Sequence, residues 1–327
     1  MLEFIVCSDF HFYKNPSKSD MSGGGMYSWL VEQLSILEDI VQYALNNNVK
    51  TLYHCGDLFE ERGRIPQDLY NIVWERFREY SKKLNIILIP GNHDVYSYNK
   101  ETGLKPFSDI CHVPTDVEDI YLEDIFIRLA PFGRIQKAKN TPEDHYNEKL
   151  LFMHEDLSGA GLFLGENYYP DYPIDCKDLS GWDFVFNGHL HKPFEFGNII
   201  NIGSPMIQDW GEADQEKRFV HYKDGKIKFI PIDCPKFIHF EILNDETKAV
   251  INNRDFFRYD IGFEEAKDPI FQKWNVSYRI KKSEEKERRL DDKRDDLDII
   301  SEYYDKYSDV ELNKEKVLRI AKELING

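Results

Sequence analysis

The sequence predicts a layered α/β (α+β) sandwich, and three observations carry that expectation. Strand-like and helix-like segments alternate through the first 230 residues; beyond residue 110 the strands become short and frequent; and strand after strand ends in Asp, Asn or His. Alternating β and α followed by many strands is the pattern of helices packed on sheets.

Residues 2–8 (LEFIVCS) read as the first strand. Residues 28–47 then place Trp29, Leu30, Leu34, Leu37, Ile40, Val41, Ala44 and Leu45 on one broad helical face. Residues 49–55 return to strand. Pro66 suits the first turn of a second helix, in which Leu69, Ile72, Val73, Phe77, Tyr80 and Leu84 recur at helical spacing. NIILIP follows as a strand, then DIFIRLAPF, KLLFMH, WDFVFNG and GNIINIG; FVHYKDGKIKFI reads as a hairpin by its turn residues. The triple glycine of Ser22–Met26 reads as a flexible connector, with substrate gating as the sharper alternative.

With 327 residues, 41% of them hydrophobic, the chain has room for one large domain and something smaller. A net charge of −17 argues against a broad basic face that grips nucleic acid unaided. It leaves open a phosphate-cleaving enzyme whose positive charge comes from metal ions. The five cysteines are scattered and show no Cys-x-x-Cys pair, so buried, reduced thiols are expected. No leader-like segment precedes LEFIVCSDF and no apolar stretch approaches membrane-spanning length, so a cytoplasmic protein with no membrane partner is expected.

The strand exits carry the chemistry. FIVCSDFH delivers Asp9 and His11, TLYHCGDLF delivers Asp57, IILIPGNHD delivers Asn92, His93 and Asp94 through Gly91, KLLFMHED delivers His154, and DFVFNGHLH delivers His189 and His191. In open α/β sheets that end is where loops converge on one crevice. Carboxylate, imidazole and amide oxygen suit manganese, zinc, iron or magnesium, and no thiolate biases the set toward soft metals. Seven candidate ligands suit two ions better than one, with Asp57 the natural bridge. Two divalent cations facing two carboxylates would attract a phosphate and acidify a bridging water. Taken singly each motif is weak: Gly56-Asp57 is the composition of a turn, and an isolated histidine is usually structural. Their joint order at five strand ends is what raises the reading. His54, His112, His145, His221 and His239 lack that context and are read as structural.

Asp9-Phe10-His11, Gly56-Asp57, Gly91-Asn92-His93-Asp94, His154 and Gly188-His189-Leu190-His191 resemble, in order, the five motifs of the calcineurin-like metallophosphoesterases. The resemblance covers residues 1–233 and implies a two-sheet β-sandwich flanked by helices around a dinuclear centre. It implies Asp9, His11, Asp57 and His191 on one metal and Asp57, Asn92, His154 and His189 on the other. It leaves His93 to meet the phosphate and assist the leaving oxygen, with Asp94 steadying its ring.

Residues 201–222, NIGSPMIQDWGEADQEKRFVHY, are similar to the Gly-Ser-Pro segment of the SbcD-type DNA repair nucleases. Gly203, Ser204, Pro205, Glu212 and Lys217 match; Trp210 and Asp209 stand where phenylalanine and serine are usual. That likeness implies a manganese-dependent nuclease, exonucleolytic on double-stranded ends and endonucleolytic on single strands, acting on DNA in repair or recombination beside an SbcC-type coiled-coil ABC ATPase. Magnesium, iron or zinc are the alternative ions. It also implies a small capping domain over 234–282, a charged linker and C-terminal helices over 283–327 that dock on the ATPase, and a homodimer through helices near 66–84 or 100–112. The compact length suits a phage or bacterial version, and so the cytoplasm of a bacterial or phage-infected cell. A phosphatase or small-molecule phosphodiesterase on the same metals, and an idle scaffold, are the competing readings.

Overall fold

β1 (Glu3–Cys7) is apolar at every position after its first, because both of its faces are covered. In the computed structural model, which describes residues 2–21, 25–97, 101–142, 145–159, 174–281, 300–301 and 314–326, this strand is central to a five-stranded sheet. β2 (Thr51–Cys55) and β3 (Asn85–Ile89) extend the sheet in parallel on one side of β1. On the other side lies the antiparallel hairpin β12 (Arg218–Lys223) and β13 (Lys226–Pro231), as its turn residues predicted.

A second, six-stranded sheet contains β5 (Ile125–Ala130), β6 (Glu148–Met153), β9 (Phe184–Asn187) and β11 (Ile199–Asn201) in parallel. β4 (Glu118–Leu122) and β10 (Phe194–Phe196) flank it as antiparallel edges. The short pair β7 (Leu157–Ser158) and β8 (Ile174–Asp175) stands apart.

Strand alternation explains the layering. Phe4, Val6, Tyr53, Ile87 and Ile89 of the first sheet meet Ile127, Leu129, Leu150, Phe152, Phe186 and Ile200 of the second in one apolar layer. The opposite faces carry Ile5, Cys7, Leu52, Ile86 and Leu88 against helices α1 (Ser28–Asn46) and α2 (Gln67–Tyr80), and Leu151, Met153 and Val185 against α3 (Ile135–Ala138) and Trp182. The two-sheet sandwich flanked by helices is therefore the observed fold. Pro66 is one step earlier than expected: it is the N-cap of α2, with extended backbone (φ −54°, ψ 131°), and Gln67 opens the helix.

Residues 237–280 add a third sheet, β14 (Phe237–Phe240), β15 (Phe256–Ile261) and β16 (Val276–Ile280), with the short helix α4 (Asp245–Ala249). The segment DFFRYDIGFEEA supplies the central strand, β15. Its alternation sorts two environments: Phe257, Tyr259 and Ile261 pack on one another, while Phe256 joins Phe237 against Trp29 of α1. Cα packing divides the chain into Met1–Arg279 and Ile280–Gly327. In the second unit α5 (Lys314–Asn326) is helical and carries Val317, Leu318 and Ala321 at helical spacing. Tyr303, Tyr304, Tyr307 and Leu312, the charged run 283–299 and most of the glycine connector lie outside the described residues. Among the described residues no helix is long and apolar enough to cross a membrane.

Candidate metal centre

The parallel strands end on a common edge, and their exit loops cross-link there. Asp9 N–H donates to Gly56 O (2.9 Å) and His11 N–H to Asp57 O (3.0 Å), stitching the β1 exit to the β2 exit. His93 N–H donates to Asp57 Oδ1 (2.8 Å), adding the β3 exit, and His189 N–H donates to Asp9 Oδ1 (3.0 Å), adding the β9 exit from the other sheet. Four of the residues so gathered hold left-handed backbone: Asp9 (φ 53°), His11 (47°), Asp57 (57°) and His189 (78°). Such conformations cost about 1–3 kcal/mol each and persist where the surroundings over-determine them, commonly at functional sites.

The side chains converge in groups whose ligand atoms lie within 4.8 Å of one another: Asp9, His11 and His191; Asp57, His154 and His189; and His11, Asp57 and His93. Each clustered imidazole has an acceptor beside one ring nitrogen. His154 Nδ1 meets the Cys55 carbonyl (2.7 Å), His191 Nδ1 meets Glu212 Oε1 (2.6 Å), and His189 Nε2 meets Asp156 Oδ1 (3.0 Å). Glu60 Oε2 lies 2.7 Å from His11 Nδ1, at ion-pair distance though off the axis of a hydrogen bond. Acceptors on that side put the ring proton there and leave the other nitrogen as a lone pair, the arrangement of metal-ligating histidines.

Those inward nitrogens make no sense as hydrogen-bond partners of one another. His11 Nε2 and His191 Nε2 face each other at 3.0 Å. Asn92 Oδ1 faces His154 Nε2 (2.9 Å) and His189 Nδ1 (2.8 Å). That oxygen is also 3.1 Å from Asp57 Oδ2, and the amide's other side faces Arg62 Nη2 at 2.7 Å. Without a cation the amide is better turned round, its NH2 to these acceptors and its oxygen to Arg62. With a cation the inward oxygen is the correct orientation. Converging lone pairs from carboxylate, imidazole and amide are what a divalent ion requires, so the residues fit two such ions.

The field agrees in sign. For His11 burial favours the neutral ring, yet Glu60, Asp57 and Asp9 outweigh it and raise its pKa to about 9. For His154 burial is likewise overcome, by Asp57 above all, and the pKa rises to about 10. For Asp57 burial opposes ionisation, but His154 and His11 pull the carboxyl far below the ordinary range. A site that holds imidazolium this firmly is a site short of positive charge.

One expectation is corrected. Asp94 does not steady the His93 ring: its carboxylate accepts backbone N–H groups from Asp57 (2.9 Å), Leu58 (3.1 Å) and Gly91 (2.9 Å). It is a buried clamp joining the β2 and β3 exits, because three converging amides outcompete a ring on the next residue. His93 Nδ1 is met instead by the backbone carbonyl of Glu60. Gly91 is needed for closeness: a Cβ there would lie 2.3 Å from Asp57 Oδ1 and 2.4 Å from Asp57 N. Gly91→Ala is therefore expected to destabilise the fold by about 1–3 kcal/mol through overpacking, read as a lowered midpoint in urea. An unchanged midpoint would show that the β3 exit can yield.

Gly203, Ser204 and Pro205 are buried behind His191 and take no place in the ligand groups. Gly203 is left-handed (φ 80°), which turns the chain so that Ser204 N–H donates to His191 O (3.1 Å). The residues that sequence reasoning did not assign are the partners: Glu60, Asp156, Arg62 and the role of Glu212. Glu60 and Asp156 left a local signal, as carboxylates just past Asp57 and His154, and Glu212 lies in the Gly-Ser-Pro segment; Arg62 left none. The other histidines lie apart, His54 wholly buried beside Phe10, His112 on Glu118, His221 on Glu3 and His239 on Asp260.

Comparison with known proteins gives the same fold a family. Exonuclease subunit 1 of Enterobacteria phage T4 is 22% identical over 239 residues, which span 68% of this chain and 67% of that protein. An uncharacterized protein of Acanthamoeba polyphaga mimivirus is 22% identical over 195 residues, 53% of this chain but 14% of its own length. The crystal structure of a nuclease from Pseudomonas putida aligns with 66% of this chain and 83% of its own, at 16% identity and a TM-score of 0.32. The model of the calcineurin-like phosphoesterases matches residues 2–193, which contain all the clustered ligands, and the chain belongs to that family.

Proposed function

We propose that this chain is a DNA nuclease of the SbcD type that hydrolyses phosphodiester bonds with two divalent ions, manganese first among them. The observation that carries the step from phosphoesterase to nuclease is the Gly-Ser-Pro segment, 203–217, packed directly behind His191. Its likeness to the repair nucleases agrees with the distant similarity to a phage exonuclease subunit. Exonuclease action on double-stranded ends and endonuclease action on single strands follow from the same reading.

In this proposal Asp9, His11, Asp57 and His191 hold one ion and Asp57, Asn92, His154 and His189 the other. Bound divalent ions supply Lewis acidity to the phosphate oxygens and lower the pKa of a water. The residues do the rest. Glu60 O would keep one proton on His93 Nδ1, so the imidazolium form would pass its second proton, on Nε2, to the leaving oxygen as the P–O ester bond breaks and phosphorus bonds to the water oxygen, whose proton goes to solvent. The left-handed loop residues hold the ligand atoms in place before substrate arrives, which limits reorganisation during the reaction.

Residues 234–282 are read as the capping domain. A groove of about 1050 Å³ runs between that sheet and the 207–217 loop, with Lys236, Arg258 and Arg279 on one wall and Asp214 and Glu216 on the other. Arg258 stacks on Trp210 at 3.9 Å. Mixed walls fit weak, salt-sensitive contact with DNA, the stronger grip belonging to a coiled-coil ABC ATPase docked on the C-terminal segment 283–327. Homodimerisation near α2 belongs to the same reading.

The test is direct. Purified protein with manganese is expected to degrade labelled linear DNA and a chromogenic phosphodiester, with DNA binding that weakens steeply as salt rises. Vigorous phosphomonoester cleavage with intact DNA would reverse the assignment in favour of a phosphatase. Tight binding of duplex DNA that ignores salt would sink the division of labour with an ATPase.

A further inference from the structure

We propose that Glu212, Lys217 and Ser204 form a positioning unit for His191 that tunes one of the two ion sites and leaves the other alone. The inference rests on the two-ion reading above and concerns what the Gly-Ser-Pro segment does there. Of the five clustered imidazoles His191 is the most exposed: its side chain is 30% exposed, against 26% for His93, 21% for His189, 3% for His11 and 0% for His154. It stands in the loop beyond the end of β9 at Asn187, where no strand ladder holds it. An exposed ring on a loop must lose rotamer freedom when it takes an ion.

Residues 203–217 hold it from two sides. Glu212 Oε1 accepts from the ring Nδ1 (2.6 Å), and the His191 carbonyl accepts from Ser204 N–H (3.1 Å) and Lys217 Nζ (3.2 Å). The Lys217 side chain is fully buried, and its ammonium also donates to Glu212 Oε2 (2.7 Å), Ser204 Oγ (2.8 Å) and Gln215 Oε1 (2.8 Å). Glu212 Oε2 takes a further hydrogen bond from Gln208 N–H (3.1 Å). A buried ion pair is weak evidence for stability, because apolar residues of similar volume often serve as well. A pair whose free oxygen is aimed at a ligand histidine has a better explanation in orientation: the carboxylate fixes the proton on Nδ1, aims Nε2 inwards and raises its basicity. Lys217 keeps that carboxylate in place. With the ammonium gone, Glu212 would be a buried charge without a counter-ion and would turn toward water, releasing the ring. The effect is local, since His154 is oriented by the Cys55 carbonyl and His189 by Asp156.

The experiment titrates manganese alone into the full chain by calorimetry, with the EPR spectrum of the bound ions and a thermal melt of each metal-free protein. The wild type is expected to take two ions. Lys217→Met and Glu212→Gln are each expected to keep one at wild-type affinity and weaken the other by about 10–100-fold, with the EPR signature of neighbouring ions giving way to that of an isolated ion at intermediate loading. The double variant Glu212→Gln/Lys217→Met, which keeps an acceptor for Nδ1–H without a buried charge, is expected to recover part of the loss. Recovery distinguishes orientation from general damage to the fold. Should Lys217→Met not fold, the isosteric Glu212→Gln carries the test. Folded variants that take both ions at wild-type affinity, or that weaken both alike, overturn the proposal. A wild type that binds two ions while the variants match it leaves the two-ion reading standing; one that binds none removes both.

Discussion

His93→Ala is expected to lower turnover of a small phosphodiester by about 10²–10⁴-fold while the protein still binds added manganese. The geometry separates the two effects. His93 contributes to the metal centre through its backbone, whose N–H donates to Asp57 Oδ1, and alanine preserves that contact. Its side chain, 26% exposed, stands edge-on to the His11 ring with centroids 4.8 Å apart and is tethered by the Glu60 carbonyl. In the proposed mechanism, what alanine removes is the proton donor for the leaving oxygen. Calorimetric manganese titration beside steady-state kinetics checks the split. The outcome that would count against this role is loss of an ion, because His93 also shares a ligand-distance group with His11 and Asp57.

Asp57→Asn is expected to be still more severe, abolishing turnover and removing both ions at manganese concentrations that saturate the wild type. Asn keeps the shape and an acceptor for the His93 N–H, so the change isolates the charge. That charge is shared: Asp57 Oδ2 lies 3.5 Å from His11 Nε2 in one group and 3.3 Å from His154 Nε2 in the other. The carboxylate is 2% exposed, and the nearby imidazoles rather than solvent stabilise its ionised form. Neutralising it leaves each ion site without its common anion, so the sites fail together. One ion retained at full affinity in this variant would show that Asp57 serves a single site.

The strand exits were legible because a strand buried on both faces is apolar until it ends. Asp9, Asp57, Asn92, His154 and His189 therefore stood out as polar residues following FIVC, LYHC, IILI, LLFM and FVF. Their convergence was legible too, since β1–β2–β3 and β5–β6–β9 are parallel and end on the same side. The central strand of the small sheet was harder to read, because DFFRYDI is neither strictly alternating nor wholly apolar: Phe256 and Phe257 face different clusters, one across to α1 and one inward.

The roles of individual side chains divided along a physical line. The sequence by itself determined which side chains are candidate ligands, since chemical type and place at a strand end are local properties. Tertiary structure alone decided which neighbours those ligands would have. Asp94 follows His93 in the chain, yet its oxygens are claimed by amides of Asp57, Leu58 and Gly91, because the β2 and β3 loops bring three N–H vectors to one point. Glu212 is distant in sequence from His191 and still orients its ring, because Gly203 and the buried Lys217 fold the segment back on it. A hydrogen bond depends on distance and direction in space, and spacing along the chain records neither once the chain has turned.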